Sequence, residues 1–230
     1  MYTFCTLGDT LEKKEKRMDK KLSCIDCGVA NCNMMDGQYP DFCLTTNMDD
    51  AVLKEAMACY EDGIDRKMSQ VSASVEHDGY CHWTRVEEVI VFARRMGFKK
   101  IGIATCVGLL SESRKLAQIL RAHDFEVFGV ACKCGTQRKD DVGCAPECND
   151  LGVNMCNPIL QAKRLNAEGT DFNVTMGLCV GHDSMFYKYS EAPVTTLVAK
   201  DRVLGHNPIA AIYQADFYYK KLKEDSDELK

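Results

Sequence analysis

The chain has 230 residues, 46% hydrophobic and 27% charged, with a net charge of −5. These values suit one large globular domain, or one domain plus a small module. The acidic balance argues against nucleic-acid binding, and no apolar run reaches the roughly 20 residues of a membrane helix.

In chain order, residues 1–21 read as a charged leader, Leu11 to Lys21 being almost all Lys, Arg, Glu and Asp, and are expected to be disordered. Met18 would make a natural start, and Cys5 a bystander. Ser23 to Cys43 is rich in loop formers and has too few periodic apolar residues to hold itself together. Asn47 to Tyr60 is expected to be a helix. Asp49 and Asp50 sit in its first turn, and Val52, Leu53, Ala56 and Met57 form its apolar stripe.

From Thr84 onward helices and strands alternate. Thr84 and Glu87 form a capping box for a helix that stops at Gly97. A buried strand is expected at 100–105, and a helix capped by Ser111 running to His123. A second strand follows at 126–131, then a long polar loop over 135–155. Asn157-Pro158 opens a helix to Asn166, proline being favoured at the first helical position. Strands are expected at 172–176 and 193–199, and Asn207-Pro208 opens a last helix to about Leu222.

Short Val- and Ile-rich strands alternating with helices predict a three-layer α/β fold: an open, mainly parallel sheet of about four strands flanked by helices, plus a small N-terminal Cys-rich metal knuckle. The expected divisions are 1–21, the N-terminal module 22–83, the α/β domain 84–224 and a tail 225–230.

Fourteen cysteines are the chemical anomaly. Without a secretory signal the expected home is the cytoplasm, where thiols stay reduced and ligate metal rather than pair. Cys24, Cys27, Cys32 and Cys43 follow a Cys-x2-Cys-x4-Cys-x10-Cys spacing. Four thiolates on a tight loop satisfy structural zinc or hold an iron–sulfur cluster, and the spacing does not choose between them. Bound metal would supply much of that segment's folding free energy.

A second group is scattered in sequence but not in the expected fold. Ligands of open parallel sheets bind beyond the carboxyl ends of the strands. Cys106 follows the first strand there, Cys132 and Cys134 the second, and Cys179 the third. Cys156 precedes a helix start, where partial positive charge favours the thiolate. Cys106, Cys132 and Cys179 are therefore expected to hold a cofactor, a [4Fe-4S] cluster or zinc. Cys156 is expected as a fourth ligand or nucleophile, and His182 with Asp183 as the acid/base group. Each thiol could instead be a small buried hydrophobe. Lys200 and Arg202 could meet an anionic substrate or only line a solvated loop, and His206 reads best as shaping its loop. Cys81, Cys144 and Cys148 remain unassigned. Dinucleotide-binding, P-loop and zinc-protease motifs are absent.

Five blocks over about residues 22–217 resemble a family known only as uncharacterised metal-binding proteins, a domain of unknown function found mostly in anaerobic bacteria and archaea. They are Cys24-Ile-Asp-Cys27 with Cys32, Ile101 to Leu109, Met155-Cys-Asn-Pro158, Gly177-Leu-Cys-Val-Gly-His-Asp183, and Lys200 to Pro208. The resemblance implies metal binding and a cytosolic setting; it implies no reaction. The expected function is a redox or small-molecule enzyme whose cysteine-ligated cluster meets a small substrate or redox partner. The alternatives are a zinc-stabilised binding or sensing module without catalysis, and metal-free thiol chemistry at Cys156.

Overall fold

The computed structural model describes residues 21–224. The leader with Cys5 and Met18, and the tail from 225, lie outside the described residues. The chain divides into two compact units, Met1–Arg66 and Lys67–Lys230.

In the first unit, Ser23 and Asp26 bracket a single 3-10 turn, the Ser23 N–H donating to Asp26 Oδ2 at 3.0 Å. Tyr39 Oη donates to Asn31 O at 3.1 Å, and the Asn47 amide donates to the carbonyls of Asp41 and Cys43. Helix α1 (Asp50–Ala58) starts later than the charge pattern suggests. Asp49 is its cap, accepting from the Ala51 and Val52 N–H groups. Its stripe of Val52, Leu53 and Met57 is exposed, and it buries no residue.

The second unit is built on four parallel strands. Helix α2 (Gly63–Gly79) leads into α3 (Arg85–Met96), which has the expected Thr84–Glu87 capping box and the left-handed Gly97 stop. Then come β1 (Lys100–Thr105), α4 (Leu110–Ala122), β2 (Glu126–Ala131), α5 (Pro158–Ala167), β3 (Phe172–Leu178), α6 (His182–Tyr189), β4 (Val194–Ala199) and α7 (Ile209–Tyr213). The strand order is β2-β1-β3-β4, all parallel. β1 and β3 are buried almost throughout, as central strands covered on both faces must be.

Helices α3 and α4 bring Val89, Ile90, Ala93, Leu116 and Leu120 against Ile101, Ile103 and Val174. On the other side Ala162, Leu165 and Phe186 of α5 and α6 pack with Ala104, Val130 and Leu178. The α/β/α layering is as expected.

Four elements of this unit differ from expectation. α2 and α6 are additional helices; Val75 and Phe186 are the buried residues that anchor them. Ser111 is not a cap: a 3-10 turn over Val107–Leu109 feeds directly into α4. The last helix ends at Tyr213 rather than near Leu222. Ile212, Tyr213, Phe217 and Tyr218 beyond its start are exposed, and a short helix with no face to bury is not stable on propensity alone.

Candidate metal centre

The strand order places the topological switch point between β1 and β3, because the chain leaves β1 for β2 on one side and returns to β3 on the other. Backbone hydrogen bonds carry the ladders one residue past the strands. Cys106 N–H donates to Met176 O at 2.9 Å, and Cys132 N–H to Thr105 O at 2.8 Å. Asn157 N–H then donates to Cys132 O at 2.8 Å, pinning the start of α5 to the end of β2 and setting Cys156 beside Cys132. The Asn157 side chain caps α5 by accepting from Leu160 N–H. On the third strand Gly177 adopts φ +68° at an irregularity in the β3–β4 register, bending the chain into Cys179.

These devices bring Cys106, Cys132, Cys156, Cys179 and His182 around one cavity of about 10 Å³, closed below by Gln161, Gly177 and Leu178. Cys156 Sγ lies 3.6 Å from Cys132 Sγ. Val107 N–H points at Cys132 Sγ at 3.3 Å, and Arg202 Nη2 donates to Cys179 Sγ at 3.2 Å.

The pair of touching sulfurs shares charge unequally. The hydrogen bond shared with Cys132, with one to His182, holds the Cys156 thiol well below its usual range, at about 4. The same bond, together with burial, pushes Cys132 up. The two thiols are thus shifted in opposite directions, negative charge being favoured at Cys156, near His182 and the positive Lys133. Arg202 is held more firmly charged by its bond to Cys179 and, more weakly, by the charges of Cys106 and Cys156.

Among the described residues, no three His, Cys, Asp or Glu side chains already stand in a ligating array around one point. The rim thiols share a cavity but are not drawn onto a common centre.

Gln161 also lines the cavity, which the residue pattern does not announce. It is fully buried, its Nε2 donates to Thr105 O at 3.1 Å and Val130 O at 2.6 Å, and its Oε1 is buried with no partner. An unsatisfied buried acceptor costs about 1–3 kcal/mol. No sequence signal could have found it, since a glutamine in a helix ordinarily faces water.

The other predicted residues fall elsewhere. Asp183 caps its own turn, its Oδ1 accepting from Ser184 N–H at 2.7 Å, and it does not line the cavity. His206 shapes its loop: Nδ1 accepts from Asp201 N–H at 3.1 Å, and this turn carries Arg202 to the rim. Cys134, Cys144, Cys148 and Cys81 are exposed. In the first unit Cys24 and Cys32 are exposed, Cys27 is half-buried and Cys43 is buried. Hydrogen bonds from the backbone and hydroxyl of Thr46, and then of Thr45, lower the Cys43 thiol.

A larger cavity of about 420 Å³ lies by the starts of β3 and β4, among Met68, Val75, Val89, Phe92 and Phe172. It contains no cysteine or histidine, so the smaller thiol-lined site is the better candidate for chemistry.

A family described as protein of unknown function (DUF1847) matches residues 43–197, a span that includes Cys43 and the whole rim cluster but not Cys24, Cys27, Cys32 or Arg202. An uncharacterised protein of Methanocaldococcus jannaschii is 51% identical over 160 residues, 69% of this chain and 81% of its own. Two solved structures of Dph2 from Pyrococcus horikoshii, one with a 4Fe-4S cluster, are similar at 20% identity and TM-score 0.33, over 61% of this chain. The chain spans only 34% and 33% of those Dph2 chains. None of the helices among the described residues is long and apolar enough to cross a membrane.

Proposed function

Because the chain belongs to the DUF1847 family, whose members are of unknown function, its chemistry must be read from its own site, and we propose that the rim at the switch point is a cysteine-ligated metal centre serving small-molecule or redox chemistry. Cys106, Cys132 and Cys179 supply ligands, Cys156 is a fourth ligand or the group that gives way to substrate, and His182 holds or returns a proton beside Cys156. A second, structural metal knuckle at Cys24, Cys27, Cys32 and Cys43 belongs to the same reading.

The observation that carries it is the convergence of four cysteines and a histidine from β1, β2, β3 and the starts of α5 and α6 on one cavity. Buried unpaired thiols scatter through a core as small hydrophobes; these collect at the one edge of the sheet where ligands bind.

The size of the cavity favours a single ion over a cubane. The cavity, at about 10 Å³, has room for one ion or water. When bound, a zinc ion would supply Lewis acidity and hold sulfur or oxygen donors.

Anaerobic purification with metal and sulfide analysis and an absorption spectrum tests this reading. Colourless protein with stoichiometric zinc, reduced by one equivalent in a Cys106→Ser, Cys132→Ser double variant, is the expected result. A brown protein with equal iron and inorganic sulfide, lost in the same variant, would keep the centre and change the metal. Metal content that the variant leaves unaltered would remove the proposal.

A further inference from the structure

The contact between Cys132 and Cys156 has chemistry of its own. Their Sγ atoms lie 3.6 Å apart although 24 residues separate them in the chain. A disulfide bond is about 2.05 Å long, so the gap to be closed is about 1.5 Å, within reach of two side chains that turn towards each other. The backbone holds the pair in register. Cys132 N–H donates to Thr105 O at 2.8 Å, and Cys132 O accepts from Asn157 N–H at 2.8 Å, so the residue after Cys156 is tied to Cys132 itself. Cys179 Sγ is engaged elsewhere, by Arg202 Nη2 at 3.2 Å.

The two sulfurs differ in access. Cys132 is 3% exposed, whereas Cys156 is half-buried and reaches solvent. A molecule in solution can therefore meet Cys156 and not Cys132. Val107 N–H points at Cys132 Sγ at 3.3 Å, a donor for the charge this sulfur carries when it acts.

We propose that Cys156 and Cys132 are a redox-active dithiol that reduces small organic disulfides, Cys156 as the attacking sulfur and Cys132 as the resolving one. This goes beyond the metal-centre reading and does not need it. It rests on the sulfur contact and the difference in access, and an ion held by the same two sulfurs would compete with it. In the first step Cys156, its proton lost to buffer, attacks one sulfur of R–S–S–R. That bond breaks, a mixed disulfide forms, and R–S⁻ leaves and takes a proton from water. In the second step Cys132 gives its proton to water and attacks Cys156 Sγ, and the second R–S⁻ leaves and is protonated. Two protein thiols are oxidised to one disulfide, and one small disulfide is reduced to two thiols.

The test uses the full chain, reduced with dithiothreitol, freed of metal by chelation, desalted without oxygen and given one equivalent of bis(2-hydroxyethyl) disulfide. Peptide mapping without reduction should find Cys132 joined to Cys156 as the main product, and dithiothreitol should reopen the bridge. Bridges or adducts confined to the exposed cysteines, with Cys132 and Cys156 still alkylated as thiols, overturn the proposal. So does an adduct that stays on Cys156 with no bridge. This measurement needs no variant. In Cys132→Ser the mixed disulfide at Cys156 should persist at least about tenfold longer than in wild type, because a sulfur already in contact acts at high effective concentration. An equal lifetime overturns the proposal. Metal content, measured on the untreated protein, reports on the metal-centre reading, so the two can fail separately.

Discussion

Cys132 and Cys156 illustrate how one contact can separate two identical side chains. Both are thiols, and they touch, yet their shared hydrogen bond, with burial, pushes one up, while the same bond, with His182 and Lys133, lowers the other. The folded Cys156 thiol titrates at about 4, below the ordinary thiol near 8.5. Its thiolate therefore persists as pH falls from neutrality and is lost only near that lower value. In metal-free protein, iodoacetamide should label Cys156 ahead of all other cysteines, and the rate should hold nearly constant down to about pH 6. Mass mapping of the label against pH checks this; a rate that falls in step with an ordinary thiol would contradict the assigned charge. Arg202 and Gln161 belong to the same scale. The first could be suspected from its place after a strand, but the second is invisible until α5 is laid across the ends of β1 and β2.

At the scale of elements, the site depends on how strands end. β1 and β2 extend their ladders by one residue into Cys106 and Cys132, while β3 bends at Gly177 before Cys179. A Cβ at Gly177 would lie 2.2 Å from Leu109 Cδ1, and φ +68° is itself strained for any other residue. Gly177→Ala should cost about 1–3 kcal/mol by overpacking and weaken metal retention, because Leu109 ends the turn that follows Cys106. Denaturant melts with metal counts on the same samples check both; full stability with full metal content would show that the bend does not position Cys179. The strand and helix boundaries of this region were largely legible. The Thr84–Glu87 box, Gly97, Asn157-Pro158 and the apolar strands carry local signals that tertiary packing reinforced. The last helix shows the converse, since Asn207-Pro208 reads as a start but no buried face sustains the continuation.

At the scale of the whole chain, the two units differ in what holds them. The second has layered cores on both sides of its sheet, whereas among the described residues of the first only Cys43 is buried. Metal at Cys24, Cys27, Cys32 and Cys43 would thus be folding free energy for the first unit and an addition to an already stable second one. A strong chelator should raise hydrogen exchange across residues 21–66 to near the unprotected rate and leave β1 and β3 protected. Mass spectrometry of exchanged peptides reads this directly. Loss of protection in β1 and β3 along with the first unit would place the rim metal among the supports of the fold itself.

What the primary chain determined by itself was the class of architecture and the ends of most of its elements. Those follow from short-range physics: the periodicity of apolar residues, a capping carboxylate, a proline at a helix start. What only the tertiary structure decided was which distant groups share a cavity, that two touching thiols are shifted in opposite directions, and that a helical glutamine is buried with an unpaired oxygen. Each of those depends on strand order and on desolvation, and neither is encoded within reach of a single segment.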